Sequence, residues 1–130
     1  MQFGGTVLYV DDVLASVAFY QRAFGLLVRF SDDSLGYTEL ETGGPPLALA
    51  SHSLGAMLMA DGYARAAAPA GVEIAFLTSN VPESFGRALA AGASPLAAPK
   101  RMPWGPEVAY LRAPDGTMIG LSEPPPSSGQ

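Results

Sequence analysis

Glu73 combines a reactive side chain with an apolar strand. It alternates with Ala75 and Leu77 along Val72-Glu-Ile-Ala-Phe-Leu77, so a strand would place these three side chains on one face. Among such neighbours the carboxylate would be partly desolvated, which suits a general base. It could equally be the counter-ion of a cationic ligand. Glu73 is therefore a candidate site residue with two possible roles.

Trp104 is a second residue suited to ligand binding. It stands in Lys100-Arg-Met-Pro-Trp-Gly105, just before a predicted strand. Its broad ring could stack on a planar ligand, which is worth about 1 kcal/mol beyond burial. The alternative is that Trp104 anchors a dimer interface or its own loop.

Most other reactive groupings are missing from the sequence. The chain has no cysteine, which excludes disulfides, thiolate metal ligands and a Cys nucleophile. Gly43-Gly44 is expected in a hairpin turn and not in a phosphate loop, and Ser51-His52 lacks the third member of a nucleophilic triad. His52 is the only histidine, and we expect it in a solvent-facing loop after a strand.

Composition limits the class of protein. The chain has 130 residues, of which 48% are hydrophobic, enough for one well-packed domain. The net charge of −5 and only 7 scattered Lys and Arg residues argue against a nucleic-acid partner. No apolar run is long enough to span a membrane, and residues 1–5 lack the basic region of a secretion signal. We expect a soluble cytoplasmic protein with no membrane partner.

The elements that would position these residues occur twice. The strand at 6–10 leads to Asp12 and an amphipathic helix that ends at Phe24-Gly25. In the second half, the strand at 72–77 leads to Asn80 and a helix that ends at Ala91-Gly92. Asp and Asn are good N-caps, and glycine commonly ends a helix. Such a repeat predicts two copies of one unit.

Three further strands are expected in each half. They lie near 26–31, 35–41 and 46–51 in the first, and near 94–97, 108–112 and 117–122 in the second. The sequence predicts a single domain over 1–123, built from modules at about 3–52 and 71–123. The modules are joined by a connector at 53–70 that holds one short helix. The Pro- and Ser-rich tail, 124–130, is predicted to be disordered.

Strand alternation predicts which side chains face a ligand. One face carries the bulky residues that pack on the helices, and the other carries mostly small ones. The second set is Gly5, Val7, Tyr9, Ala48, Ala50, Glu73, Ala75, Leu77, Met118, Gly120 and Ser122. The volume above it could be an apolar pocket, or could be filled by a dimer partner or the connector.

Two tyrosines and two glutamates on or next to the predicted strands fall outside this set. Tyr37 and Tyr110 cannot be assigned to a face, because the register of the third strand is uncertain by one residue. Glu39 and Glu107 are expected to be solvated charges at the rim.

Several motifs together point to a family. The segments are Val10-Asp-Asp-Val13, Val17-Ala-Phe-Tyr20, Phe24-Gly25-Leu26 and Ala113-Pro-Asp-Gly116. Over about residues 3–123 the chain resembles the vicinal oxygen chelate superfamily, which includes glyoxalase I, extradiol dioxygenases and bleomycin-resistance proteins. The resemblance implies the α+β glyoxalase/bleomycin-resistance fold, in which two βαβββ modules form a cupped mixed sheet, and usually a homodimer.

The resemblance also implies where metal ligands would stand. In the metal enzymes of the family they occupy positions that correspond to Gly5, Ala48, Glu73 and Gly120. Only Glu73 could bind a metal, and one carboxylate does not hold a divalent ion against water. We therefore expect no metal and no cofactor, as in the metal-free members that bind bleomycin.

Two functions remain open at this point, beside a purely structural dimer whose cup is filled. The first is a metal-free homodimer that binds a small apolar or aromatic molecule, such as an aromatic antibiotic. Its predicted ligand-binding residues are Trp104, Tyr9, Glu73, Leu77, Met118, Ala48 and Ala50. The alternative is an enzyme of the same superfamily, a lyase, isomerase or dioxygenase-like protein, that uses Glu73 as base or a displaced metal site.

Overall fold

The computed structural model of the protein describes residues 1–65 and 71–125. The chain divides into two compact units, Met1–Ala67 and Ala68–Gln130. Each unit has a four-stranded mixed sheet with a helix packed against it. The repeated βαβββ order and the α+β class predicted from the sequence are both confirmed.

The first unit contains four strands and two helices. They are β1 (Thr6–Val10), α1 (Val13–Phe24), β2 (Leu27–Asp32), β3 (Tyr37–Glu41), β4 (Leu47–Ser51) and α2 (His52–Met59), with a 3-10 turn at Ala60–Gly62 after α2. The strand order is β1-β4-β3-β2. β1 runs parallel to β4, and the other neighbours are antiparallel.

The second unit repeats the arrangement. It contains β5 (Glu73–Leu77), α3 (Val81–Ala90), β6 (Ser94–Arg101), β7 (Glu107–Arg112) and β8 (Met118–Ser122). The strand order is β5-β8-β7-β6, with β5 parallel to β8. The two units therefore share one topology.

The predicted helix caps are present. The Asp12 side chain accepts a hydrogen bond of 3.0 Å from the amide of Ala15, and Gly25 ends α1 with a φ of +70°. The Asn80 side chain accepts one of 3.1 Å from the amide of Glu83. These contacts satisfy amides that a helix start leaves free, which fixes where each helix begins.

The core of each unit lies between its helix and its sheet. In the first unit, Phe19 and Tyr20 of α1 are buried together with Leu40 and Leu49 of the sheet. In the second unit, Ile119 and Leu121 are buried, as the strand alternation predicted, with Val81 and Ala88 of α3. Both helices thus cover the face of the sheet that carries the bulky residues.

Several predicted strand limits are wrong. β3 begins at Tyr37 and not at Leu35, because the Asp32 carboxylate accepts bonds from the Ser34 amide (3.0 Å) and hydroxyl (2.6 Å) and starts a turn. Gly36 completes this turn at a φ of +67°. β6 continues to Arg101, past the predicted end at Ala97.

A short helix, α2, does occur at the predicted connector, but it begins at His52, one residue before the connector's predicted start. Residues 66–70 of the connector lie outside the described part of the chain, as do residues 126–130 of the predicted disordered tail. Across residues 1–65 and 71–125, no helix has the length and apolar character that a membrane span requires.

Candidate functional site

The register of the first sheet settles which side chains share the predicted ligand face. Val7 pairs with Ala48 and Tyr9 with Ala50. On the other side of β4, Glu39 pairs with Ala48 and Tyr37 with Ala50. Paired residues point to the same side of a sheet. We call this set the first-sheet face: Val7, Tyr9, Tyr37, Glu39, Ala48 and Ala50.

The first-sheet face is less empty than its alanines suggested. Ala48 and Ala50 are both buried. Ala50 lies between Tyr9 and Tyr37, which occupy the neighbouring strands at its level. Two phenol rings therefore flank the position where the sequence predicted free volume, and the open space lies toward the other end of the face.

A pocket of about 260 Å³ opens at that other end. Its lining residues come entirely from the first unit: Gly4, Gly5, Thr6, Val7, Tyr37, Glu39, Pro46 and Ala48. Gly5 has a φ of +145°, and a Cβ atom there would lie 2.7 Å from the carbonyl oxygen of Pro46. Only glycine fits this backbone without strain, so the pocket wall at position 5 is bare main chain.

Glu39 is the charged side chain in the lining of this pocket. The Tyr37 hydroxyl donates a hydrogen bond of 2.7 Å to its Oε2 atom. Arg29 lies on its other side, with Nε 3.6 Å from Oε1. A register shift between Val28 and Phe30 leaves Arg29 outside the strand pairing, which frees its side chain to reach Glu39.

Tyr37 has a strongly perturbed phenol. Burial, together with its hydrogen bond to Glu39, raises the pKa of Tyr37 to about 12. At neutral pH the phenol therefore stays protonated and continues to donate to the carboxylate. The expectation that Glu39 is a freely solvated rim charge is wrong, because its side chain is only 22% exposed.

The second sheet brings together Glu73 and Met118, which pair directly, and places Leu77 further along the same strand. Tyr110 pairs with Gly120, which assigns it to this face. The expected desolvation of Glu73 is not found, because Glu73, Ala75 and Leu77 are all exposed.

Gly120 makes room for the Glu73 carboxylate. A Cβ atom at position 120 would overlap Oε2 of Glu73 and would lie 3.3 Å from Cε1 of Tyr110. The carboxylate thus rests against the bare backbone of β8. Its exposure contrasts with the enclosed position of Glu39 between Tyr37 and Arg29.

Trp104 lies in the turn between β6 and β7 and is 77% exposed. The turn is tied down at its base. Arg101 donates 2.8 Å to the Gly105 carbonyl and pairs with Glu123, which also accepts 2.8 Å from the Glu107 amide. The Glu107 amide and the Arg101 guanidinium hold the pKa of Glu123 below its usual value. The indole therefore projects from an ordered hairpin.

His52 belongs to a side-chain cluster that the sequence did not reveal. Its Nε2 lies 3.1 Å from Oδ1 of Asp11, and its Nδ1 is hydrogen-bonded to the Tyr63 hydroxyl. Arg65 reaches the same Asp11 oxygen at 3.1 Å. The predicted solvent-facing loop position is wrong, since His52 begins α2 and its side chain is 16% exposed.

Tyr63 extends this cluster to the first-sheet face. Its ring meets that of Tyr9 edge-to-face, with centroids 5.4 Å apart. It also fills the notch at Gly55, where a Cβ atom would lie 2.5 Å from the Tyr63 ring. The signal in the sequence was weak, because Asp11, His52 and Tyr63 belong to three separate elements.

The residues at the positions implied for metal ligands do not fit a metal ion. Gly5 and Gly120 have no side chain, Ala48 has no donor atom, and the strain at Gly5 opposes any replacement there. Within residues 1–65 and 71–125, no three His, Asp or Glu side chains are grouped so that they could hold a metal. A divalent ion needs several such donors.

Comparison with known proteins agrees with the fold. The model of the Glyoxalase/Bleomycin resistance protein/Dioxygenase superfamily matches residues 2–121. The comparison with curated proteins gives no match.

Solved structures give further likenesses. A glyoxalase-related enzyme from Fulvimarina pelagi is 23% identical with a TM-score of 0.83, covering 96% of this chain and 89% of its own. A superfamily enzyme from Burkholderia phytofirmans PsJN is 22% identical with a TM-score of 0.74, covering 92% and 96%. Lactoylglutathione lyase from Agrobacterium tumefaciens is 26% identical with a TM-score of 0.70, covering 94% and 92%.

Proposed function

Because the chain belongs to the glyoxalase/bleomycin resistance protein/dioxygenase superfamily, we propose that it binds a small apolar or aromatic molecule without a metal ion. The observation that carries the proposal is the pocket on the first-sheet face, whose lining includes Gly5 and Ala48. Two positions that would hold metal ligands in the metal enzymes are thus part of an open cavity. A ligand can occupy the space that a metal centre would otherwise take.

The lining suits a small organic molecule. It combines apolar groups and bare backbone with three polar side chains, Thr6, Tyr37 and Glu39. Ligand sites commonly have this composition, because apolar surface supplies affinity and a few polar groups fix orientation. Tyr9, Ala48 and Ala50 continue the same face and are proposed to contact a larger ligand.

The remaining proposed ligand contacts belong to the second unit. They are Glu73, Leu77 and Met118 on the face of the second sheet, and Trp104 in the β6–β7 turn. An aromatic antibiotic is the ligand class that we propose for these apolar and aromatic groups. We further propose that the protein acts as a homodimer in the cytoplasm.

A titration with and without chelator tests the proposal. Purified protein is treated with EDTA, analysed for bound metals, and titrated with bleomycin and, separately, with the uncharged apolar dye N-phenyl-1-naphthylamine. We expect saturable binding of at least one probe at micromolar concentration, unchanged by EDTA. Stoichiometric bound metal, or binding that EDTA abolishes and Zn²⁺ restores, would contradict the proposal.

The second candidate function is an enzyme of the same superfamily. It is favoured by the 26% identity to a lactoylglutathione lyase over almost the whole chain. It would use either Glu73 as base or a displaced metal site, whose donors would differ from the residues at positions 5, 48 and 120. Turnover of lactoylglutathione by the protein supplied with Zn²⁺ or Ni²⁺ would favour this candidate over the binding protein.

A further inference from the structure

We propose that the molecule bound in the first-sheet pocket carries a protonated nitrogen, and that the Glu39 carboxylate holds it. The inference rests on the proposed function, because it names the ligand chemistry of the same pocket. The second unit plays no part in it.

Glu39 has acceptor capacity to spare. A carboxylate offers about four lone-pair positions, and Tyr37 donates to one of them, on Oε2, at 2.7 Å. The Arg29 Nε atom is 3.6 Å from Oε1, beyond the usual length of an N–H···O hydrogen bond. The Glu39 carboxylate therefore keeps acceptor positions for a donor in the pocket that it lines.

The charges around the pocket favour a cation. Among the residues that line it, Glu39 carries the charge, and its side chain is 22% exposed. Arg29 lies outside the lining and is 46% exposed, so solvent screens much of its charge. An anion in the pocket would meet a partly buried carboxylate, and a neutral molecule would cover that carboxylate without neutralising it. The net charge of −5 further attracts cations to the protein.

Tyr37 prepares Glu39 for this role. Because the pKa of Tyr37 is raised to about 12, the phenol stays protonated and keeps the carboxylate oriented at neutral pH. The Tyr37 ring itself lines the pocket, where an aromatic face adds cation–π attraction to an ammonium group. Orientation and charge thus both favour an amine.

Arg29 should compete with the ligand. Its guanidinium lies beside Glu39 and would repel an incoming ammonium. Replacement by glutamine should therefore strengthen amine binding. If Arg29 instead only held Glu39 in place, its replacement would weaken amine binding. The direction of the change therefore separates competition from support.

Three probes that share one skeleton test the charge preference. Benzylamine is a cation at neutral pH, benzyl alcohol is neutral and benzoate is an anion. Each is titrated into ¹⁵N-labelled protein, with the amide signals of Gly5, Val7 and Ala48 as reporters. We expect benzylamine to bind about tenfold more tightly than benzyl alcohol, the value of one charge-assisted hydrogen bond in a partly buried site. Benzoate should bind most weakly.

Variants then assign the preference to residues. Glu39→Gln should weaken benzylamine binding about tenfold and leave benzyl alcohol unchanged. Arg29→Gln should strengthen benzylamine binding about twofold. Glu41→Gln is the matched control, because Glu41 lies on the same strand, is exposed and lies outside the pocket lining. It should change neither affinity.

The outcomes separate this inference from the proposed function. Benzyl alcohol or benzoate bound as tightly as benzylamine, or benzylamine binding that Glu39→Gln leaves unchanged, would overturn the inference and leave a binding pocket. Weaker benzylamine binding in Arg29→Gln would also count against it. If none of these probes, bleomycin or the apolar dye binds, both the inference and the proposed function fail.

Discussion

Each sheet places a carboxylate beside a small residue of its last strand, β4 or β8. The two carboxylates come from strands on opposite sides of that last strand. In the first sheet, Glu39 comes from β3 and pairs with Ala48 of β4. In the second, Glu73 comes from β5 and rests against Gly120 of β8. The repeated topology thus keeps the location of the negative charge and changes the strand that supplies it.

The surroundings of the two carboxylates differ more than their locations. Glu39 is hydrogen-bonded by Tyr37, approached by Arg29 and partly buried, whereas Glu73 is exposed. An oriented, partly desolvated carboxylate can select a ligand, while an exposed one mostly interacts with water. The first sheet therefore holds the more developed site, although the sequence favoured Glu73.

The largest difference between the two faces should appear when alanine replaces their glycines. Gly5→Ala should lower the free energy of unfolding by roughly 1–3 kcal/mol, because it combines a positive φ with a backbone clash. Gly120→Ala should cost less, since its new methyl group meets the movable end of Glu73. Urea unfolding of both variants measures the difference. Equal losses would show that position 5 is not specially constrained.

A second difference lies just beyond the last strand of each unit. After β4, His52 joins Asp11 and Tyr63, whereas after β8, Glu123 joins Arg101 and the Glu107 amide. His52→Leu removes both hydrogen bonds of the imidazole and should cost about 1 kcal/mol of unfolding free energy. Hydrogen exchange of α2 should also become faster than in the unchanged protein.

Arg65→Gln is the control for this cluster. Arg65 binds the same Asp11 oxygen, but its side chain is 67% exposed, so the change should stay within about 0.5 kcal/mol. Unaltered stability of His52→Leu would mean that the cluster does not hold α2. Because His52 is the only histidine, its ring signals in NMR report directly on the contact.

A third difference concerns the pH dependence of the first site. The pKa of Tyr37 is raised, so its phenol favours the folded state while protonated, and this contribution is fully present below its ordinary value of 10.0. It should be lost as pH rises from about 10 to about 12. Tyr37→Phe should flatten that part of the stability profile. If the stabilities of Tyr37→Phe and of the unchanged protein varied in parallel with pH, the raised pKa would not belong to Tyr37.

Local rules predicted the fold well. Asp12, Asn80 and Gly25 fix helix ends through contacts with adjacent backbone, so their neighbours in the sequence are enough to identify them. The alternation of side chains between the two faces of a strand likewise identified Leu49 and Ile119 as core residues, because it depends only on neighbouring residues.

The site was predicted only in part, because it depends on partners from separate strands. Tyr37 could not be assigned until the pairing with Ala50 set the register of β3, and Glu39 gains its surroundings from that same register. Arg29 reaches Glu39 through a strand irregularity with no clear sequence signal. Conversely, the apolar neighbours of Glu73 suggested burial, but those neighbours are themselves exposed.

Chemical-shift mapping of benzylamine on EDTA-treated protein would show which sheet binds the ligand and whether binding needs a metal. We expect the largest shifts on Gly5, Val7 and Ala48 in the first unit, and we expect them to persist without metal. Shifts that require added Zn²⁺, or that are confined to the residues around Glu73 and Gly120, would contradict this expectation.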